Sequence, residues 1–250
     1  LSKTDIPPEI RIVNPEQTDS NPTADFYCQP TSGILYYRAV FGIQNVDPGL
    51  IGLIPFFCHA TQIGTRDYNY VEQARRIDQY TGGLGFSVTA SRTFSESGSP
   101  CLPVINFAGK CLSRNIKNMF CLVEDLLARN TFLDLGRLRE LLLEVRAEME
   151  SGVIHNGHRL AMSLAARNFS TASALNESWH GIYQLQTIKE LCADTGTSRL
   201  KNLADDLEKI AENVFCKNNL KIALIGEQQD IDKAKPLYEE ICKNLNPGEN

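Results

Sequence analysis

The segment 53–85 constrains the fold more than any other part of the chain. Its sequence is LIPFFCHATQIGTRDYNYVEQARRIDQYTGGLG, and an Asp-Pro pair shortly before it supplies an N-cap and a first-turn proline. These features predict a helix that ends at a C-terminal glycine, Gly64. The helix is apolar on nearly every side, so we expect it to be buried. An amphipathic helix over 69–80 and a strand over 84–91 are predicted to follow.

The other predicted elements indicate an α+β fold, because strands cluster in some parts of the chain and helices in others. Two β-rich runs, 26–29 and 34–44, are separated by the turn residues Pro-Thr-Ser-Gly, which predicts a β-hairpin. Further strands are predicted at PCLPVINFAGKCL, after a Ser-Gly-Ser-Pro turn, and at NLKIALIGE. Further helices are predicted over 115–130, 135–151, 173–191, 198–214 and 230–244.

Composition excludes some partners. The chain has 25 Lys and Arg against 30 Asp and Glu, with no basic block, so we expect no nucleic acid as a partner. We also expect no membrane association, because no apolar run approaches the roughly 20 residues that span a bilayer. The eight cysteines form no C-x-x-C pair, which favours buried free thiols in a reducing compartment. Residues 1–23 have the composition of a linker, which indicates a piece of a longer protein.

The end of the apolar helix resembles a damaged metal-binding motif. In an H-x-x-E-H motif the helix period places two His ligands on one face, with the Glu as general base for a zinc-bound water. Here the matching residues are Pro55, Phe56, Phe57, Cys58 and His59. Pro55 replaces the first histidine and Cys58 replaces the general base. Of the three functional positions, only the last, His59, keeps the residue of the motif.

The resemblance extends over the whole chain. The matching stretches are DIPPEI, QPTSGILYYRAVF, IPFFCHATQIGTRDYNYVEQARRIDQYTGGLGFS, SGVIHNGHRLAMSLAARNFSTASALNESWHGIYQLQTIKEL and NLKIALIGEQQ. In this order they are similar to the pitrilysin or insulinase family of zinc metallopeptidases, and most closely to the third domain of the presequence protease subfamily. In that family the third domain repeats the fold of the zinc-binding first domain with its metal motif decayed.

The resemblance implies a fold, a site and partners. The fold would be a mainly antiparallel sheet covered on one face by helices, formed by residues 24–250 as a single non-catalytic domain. Glu148 matches the distal Glu ligand of the active repeat. Zinc would be bound by another domain of a four-domain parent that closes around unstructured peptides. This domain would form part of the chamber wall, in a bacterial cytoplasm or a mitochondrial matrix, and would be inactive alone.

A glycine turn supplies a candidate peptide-binding edge. In the catalytic repeat of this family, the corresponding turn leads into a strand beside which the substrate lies as an added strand. The matching residues here are Gly82, Gly83, Leu84, Gly85, Phe86 and Ser87. The alternative is an ordinary sheet edge with no ligand, because exposed edges are normally covered or paired.

The metal-type residues also have simpler explanations. His59, Glu148 and Cys58 could hold a vestigial metal, but a histidine on an apolar helix is more often a core residue with one hydrogen bond, here to Glu148. Cys58 as a nucleophile would need a lowered thiol pKa. His155 and His158 could share a metal, but the intervening Asn-Gly predicts a helix break. Trp179 is expected to lie in the core, with the chamber lining as the alternative.

Other classes remain open at this point. A structural subunit of the bc1 core or processing peptidase type shares the fold, although the AARNFSTASALNESW stretch favours the presequence protease type. A cysteine-dependent hydrolase would show a low thiol pKa at Cys58. A self-associating scaffold would use surface that otherwise packs on neighbouring domains.

Overall fold

A computed structural model describes residues 12–17, 22–92 and 101–248. The predicted linker over 1–23 lies largely outside the described residues, and so does the predicted turn just before Cys101. Six strands form one sheet within the described part: β1 (Glu16–Gln17), β2 (Ala24–Cys28), β3 (Ile34–Gly42), β4 (Leu84–Arg92), β5 (Cys101–Leu112) and β6 (Leu220–Gly226).

The sheet is mixed but mainly antiparallel. Its strand order is β1-β2-β6-β3-β5-β4, and every pairing is antiparallel except that of β2 with β6. The predicted hairpin between the first two long runs is wrong, because β6 lies between β2 and β3. The strand that separates them comes from the far end of the chain, so local turn chemistry could not reveal it. Among the described strands, β4 is at the edge.

Eight α-helices are formed by the described residues: α1 (Ile54–Ala60), α2 (Tyr70–Tyr80), α3 (Ile116–Ala128), α4 (Leu135–Ala166), α5 (Thr171–His180), α6 (Ile182–Ala193), α7 (Thr197–Val214) and α8 (Gln228–Asn244). Short 3-10 turns lie at Pro48–Leu53, Ser113–Asn115, Arg167–Phe169 and Lys217–Asn219. The α+β prediction is confirmed.

One face of the sheet carries the core. Along β3 every second side chain is fully buried, whereas Tyr36 and Arg38 between them are exposed. The same alternation continues on β6 and β4, as expected for a sheet with helices on one face only. Phe86 and Phe107 stack in parallel on the buried face, with ring centroids 4.0 Å apart.

Three predicted helices differ in extent from the structure. The first begins as the 3-10 turn Pro48–Leu53 and ends at Ala60, short of Gly64. The second, α4, continues to Ala166, because the Asn-Gly pair produces only a kink at Asn156. The predicted helix over 173–191 is two helices, α5 and α6, separated at Gly181. The remaining helices lie where the sequence predicts them, within a few residues.

The break at Gly181 has a steric cause. A Cβ added at this position would collide with the Glu177 carboxylate. That carboxylate is buried and accepts a hydrogen bond from the Ile182 amide at 2.9 Å, so it caps the start of α6. The close packing of Glu177 under Gly181 fixes the angle between α5 and α6.

The cysteines are free, and most are buried. Cys58, Cys101, Cys111, Cys216 and Cys242 are buried, and Cys192 is half-buried. The expectation of burial is wrong for two others, Cys28 and Cys121, which are exposed. Cys28 is the last residue of β2, and Cys121 lies on the solvent side of the amphipathic helix α3.

Candidate peptide-binding cleft

Helix α1 presents the remains of the metal motif in an arrangement that cannot work as a catalytic site. Pro55 and Cys58 are both buried. Burial raises the pKa of the Cys58 thiol to about 12, against a smaller opposing effect of a backbone hydrogen bond. A thiol with so high a pKa carries almost no nucleophilic thiolate near neutral pH. The geometry therefore opposes the cysteine-dependent alternative.

His59 lies next to Cys58 but faces a cleft. The prediction that His59 is a core residue is wrong, because its side chain is exposed. Successive helix residues point about 100° apart, so burial of Cys58 turns His59 outward. The protein atoms around the imidazole still lower its pKa by desolvation, and His180 adds to this effect, while the Glu148 carboxylate opposes it.

Glu148 and His59 line the same cleft without a direct bond. No hydrogen bond joins them in the part of the chain that the structure describes, so the predicted pairing is absent. No group of three His, Cys, Asp or Glu side chains among the described residues could hold a metal ion. His155 and His158 are exposed on the kinked part of α4, and the cleft-lining residues do not include them. The site residues thus fit neither a catalytic nor a structural zinc.

A continuous cleft runs along one face of α4. It consists of three adjoining parts of about 320, 440 and 380 Å³. Neighbouring parts share His59 and Phe86 at one junction and Met149 and His180 at the other. From Arg137 to Ser163 the lining follows α4 for roughly 39 Å at a helical rise of about 1.5 Å per residue. An extended chain of about 12 residues has the same length.

The β4 edge forms the opposite wall of the central part. The Lys110 amide donates to the Gly83 carbonyl at 3.3 Å, and strand alternation from this pair directs the amides and carbonyls of residues 84, 86, 88 and 90 away from β5. These outward groups face the cleft. The candidate edge Gly82, Gly83, Leu84, Gly85, Phe86 and Ser87 therefore lies beside a cleft, with its central backbone groups directed outward.

Three side chains cap part of this edge. Gln62 donates to the Leu84 carbonyl at 2.9 Å, and His180 contacts the Val88 carbonyl at 3.1 Å. Asn176 donates to the Ala90 carbonyl at 2.8 Å and accepts from the Ala90 amide at 3.3 Å. Within the described residues, no side chain bonds the amide or the carbonyl of Phe86. The open part of the edge is therefore centred on Phe86.

The glycine turn shapes the entry to the edge. Gly83 has φ +111°, which favours glycine, and the Gly83 amide donates to the Thr81 hydroxyl at 3.1 Å. At Gly85 a Cβ would lie 3.1 Å from the Gln62 amide nitrogen, so the absence of a side chain lets Gln62 reach the strand. These contacts explain why glycines precede this strand.

Helix α5 is locked in place by Trp179. The indole is 1% exposed and donates to the Ile51 carbonyl at 3.0 Å, so the predicted core position is confirmed. Sequence analysis missed the roles of Gln62, Asn176 and His180. Asn176 and His180 are four residues apart on one helix face, but their partners on β4 lie 86 and 92 residues away along the chain. Their spacing alone carries no signal of that contact.

Comparison with known proteins now places this fold. Residues 1–191 match the family of domains described as associated with peptidase M16, subfamily C. The chain belongs to this family. The match includes α1, the β4 edge and most of the helices that line the cleft.

Relatives of this peptidase-associated chain are presequence proteases. The chain is 31% identical over 226 residues to the mitochondrial presequence protease of Danio rerio, covering 88% of this chain and 21% of that protein. It is 30% identical over 254 residues to the mitochondrial presequence protease of Xenopus laevis, covering 98% and 24%. The resemblance noted in the sequence is confirmed, and the chain spans about a fifth to a quarter of the length of these relatives.

A solved structure shares the fold of this peptidase-associated chain. It is the peptidase M16 inactive domain from Pseudomonas fluorescens, with a TM-score of 0.61 and 15% identity, covering 95% of this chain and 52% of that one. This likeness confirms the predicted fold class. In the part of the chain that the structure describes, no helix is long and apolar enough to cross a membrane.

Proposed function

We propose that this chain is a non-catalytic domain of a longer zinc metalloendopeptidase of the presequence protease type. Its role is to form part of the wall of a chamber in which unstructured peptides are held. The observation that carries the proposal is the pairing of a decayed motif on α1 with an open sheet edge at Phe86, both facing one long cleft.

The decayed motif supports a role without chemistry in this domain. A catalytic zinc needs three protein ligands and a base that activates the bound water. Pro55 offers no ligand atom, and Cys58 is buried with a raised thiol pKa. His59 and Glu148 remain, and two ligands without a general base do not support hydrolysis.

The cleft supports a role in holding peptide. Strand addition at an open edge uses backbone hydrogen bonds, which every peptide offers, so it tolerates many sequences. The outward amide and carbonyl of Phe86 supply such bonds at the centre of the cleft. Apolar residues of α4 and α6, among them Met149, Leu160 and Leu185, line the adjoining part of the cleft. This combination suits an extended chain with apolar side chains.

The rest of the proposal concerns the parent protein. The chain corresponds to 21% and 24% of the two presequence proteases, which supports further domains as its partners. Zinc would be bound by another of those domains. The names of these relatives place them in mitochondria, which supports the mitochondrial matrix as the location, with the bacterial cytoplasm as the alternative.

A matched pair of variants tests the peptide-binding edge. In Phe86→Pro the outward amide is lost, whereas Phe86→Ala removes the same ring and keeps the amide. Because the amide of residue 86 points away from β5, proline is compatible with the sheet at this edge position. We expect Phe86→Pro to bind a labelled unstructured peptide about 2- to 10-fold more weakly than Phe86→Ala, from the loss of one hydrogen bond. Equal affinities of the two folded variants would contradict the proposed edge.

A further inference from the structure

The open edge of β4 is short because α5 closes one end of it. Asn176 bonds both the amide and the carbonyl of Ala90, which are the two contacts that a neighbouring strand would make. His180, one helical turn later, occupies the carbonyl of Val88. On the other side, Gln62 occupies the carbonyl of Leu84. Among the described residues, side chains leave open the amides of residues 84, 86 and 88 and the carbonyl of residue 86.

The position of α5 is fixed, so this closure is a built feature. Trp179 lies between the two capping residues in sequence and is anchored to the Ile51 carbonyl. Glu177 packs under Gly181 and holds the start of α6. A peptide strand could pair beyond Val88 only by displacing Asn176 and His180 from their backbone partners.

The cleft continues past the closed end. Its next part, about 380 Å³, lies between α4 and α6 and is lined by apolar Met149, Val153 and Ile182 together with Arg159. Arg159 makes no ion pair within the described residues. At the opposite end of the cleft, Arg137 is already neutralised, because its guanidinium bonds Glu144 at 2.8 and 3.0 Å. Of these two arginines, the one available to a ligand carboxylate is therefore at the α6 end.

We propose that Asn176 and His180 limit strand pairing to 84–88, and that the bound peptide then leaves the edge and places a carboxylate at Arg159. The ligand class is an extended peptide with apolar residues followed by a C-terminal or acidic side-chain carboxylate. This inference rests on the proposed peptide-binding function and adds a length limit and a charge preference to it.

The test uses one unstructured, fluorescently labelled peptide in two forms, with a free C-terminal carboxylate and with a C-terminal amide. We expect the carboxylate form to bind about threefold to fivefold more tightly, the range for a solvent-accessible ion pair. Arg159→Ala should remove that difference and leave the amide form unaffected. Arg139→Ala is the matched control, since Arg139 is exposed on α4 and does not line the cleft.

Amide hydrogen exchange tests the length limit. In the unaltered chain, bound peptide should protect the amides of Phe86 and Val88 and add nothing at Ala90. In Asn176→Ala the Ala90 amide should exchange faster in the free chain and become protected when peptide binds. Equal binding of the two peptide forms, with protection at Phe86, would overturn this inference and leave the proposed function standing. No protection at Phe86 with either form would overturn both.

Discussion

The side chain of Asn176 pairs with the backbone of Ala90 through two hydrogen bonds, of 2.8 and 3.3 Å, in the manner of a neighbouring strand. The contact joins α5 to the edge strand β4. It lets a sheet edge remain available at Phe86 and yet be closed two residues after Val88. Exposed edges invite uncontrolled pairing, so a helix that covers one end of the edge also protects the chain from aggregation.

Trp179 is predicted to be the main anchor of α5. Trp179→Phe removes the hydrogen bond to the Ile51 carbonyl and leaves that carbonyl without its partner. We expect a loss of about 1–3 kcal/mol in the free energy of unfolding, measured by chemical denaturation. Tyr183→Phe is the control, since the Tyr183 hydroxyl contacts Arg167 at the surface, and we expect a change of at most about 0.5 kcal/mol. Equal losses for both variants would contradict the anchoring role.

The glycine turn before β4 should respond differently at its two glycines. Gly83 has φ +111° with no atom within 4 Å of an added Cβ, so Gly83→Ala introduces backbone strain alone. We expect it to cost about 1–3 kcal/mol in unfolding free energy. At Gly82 a Cβ would meet the flexible Lys110 side chain at 2.9 Å, which can move, so Gly82→Ala should cost less. Thermal or urea denaturation of both variants checks this order, and the reverse order would refute it.

The cysteines should divide into two reactivity groups. Cys28 and Cys121 are exposed, whereas burial raises the thiol pKa of Cys58 and Cys111 to about 12. In the native chain at a pH of about 8, iodoacetamide should modify Cys28 and Cys121 first, and it should reach Cys58 only after unfolding. Peptide mapping by mass spectrometry follows each site. Rapid native modification of Cys58 would restore the cysteine-dependent alternative.

The pKa of His59 should move in opposite directions in two variants. Desolvation and His180 lower this pKa, and the Glu148 carboxylate raises it. Glu148→Gln should therefore lower the pKa further, and His180→Gln should raise it, as followed by NMR titration of the imidazole. Because the folded pKa lies below the unfolded value, the unfolded chain binds the proton more readily. The His59 contribution to stability is thus complete above the unfolded pKa and is lost as the pH falls through the folded one. Shifts of the same sign in both variants would contradict this arrangement.

Local sequence signals predicted the elements better than their partners. The capping box of α2 at Asn69 and the apolar run of α1 are local features, and both helices form where expected. The pairing of β2 failed because β6 comes from nearly 200 residues later. The break at Gly181 failed because it depends on the close packing of Glu177, which no spacing rule contains.

The candidate site was predictable only in part. The loss of metal chemistry at Pro55 and Cys58 follows from residue identity alone, and the edge followed from the family resemblance. The exposure of His59 did not follow, because an apolar helix can still turn one side chain toward a cleft. The caps Gln62, Asn176 and His180 depend on tertiary contacts that α1 and α5 make with β4, so no local pattern indicates them.

The most direct test of the account measures the zinc content of the purified chain, freed of affinity tags and chelator, together with cleavage of a long unstructured fluorogenic peptide. We predict no stoichiometric zinc and no cleavage, because His59 and Glu148 lack a further ligand and a general base. One tightly bound zinc per chain, lost in His59→Ala or Glu148→Ala and accompanied by cleavage, would contradict the non-catalytic role.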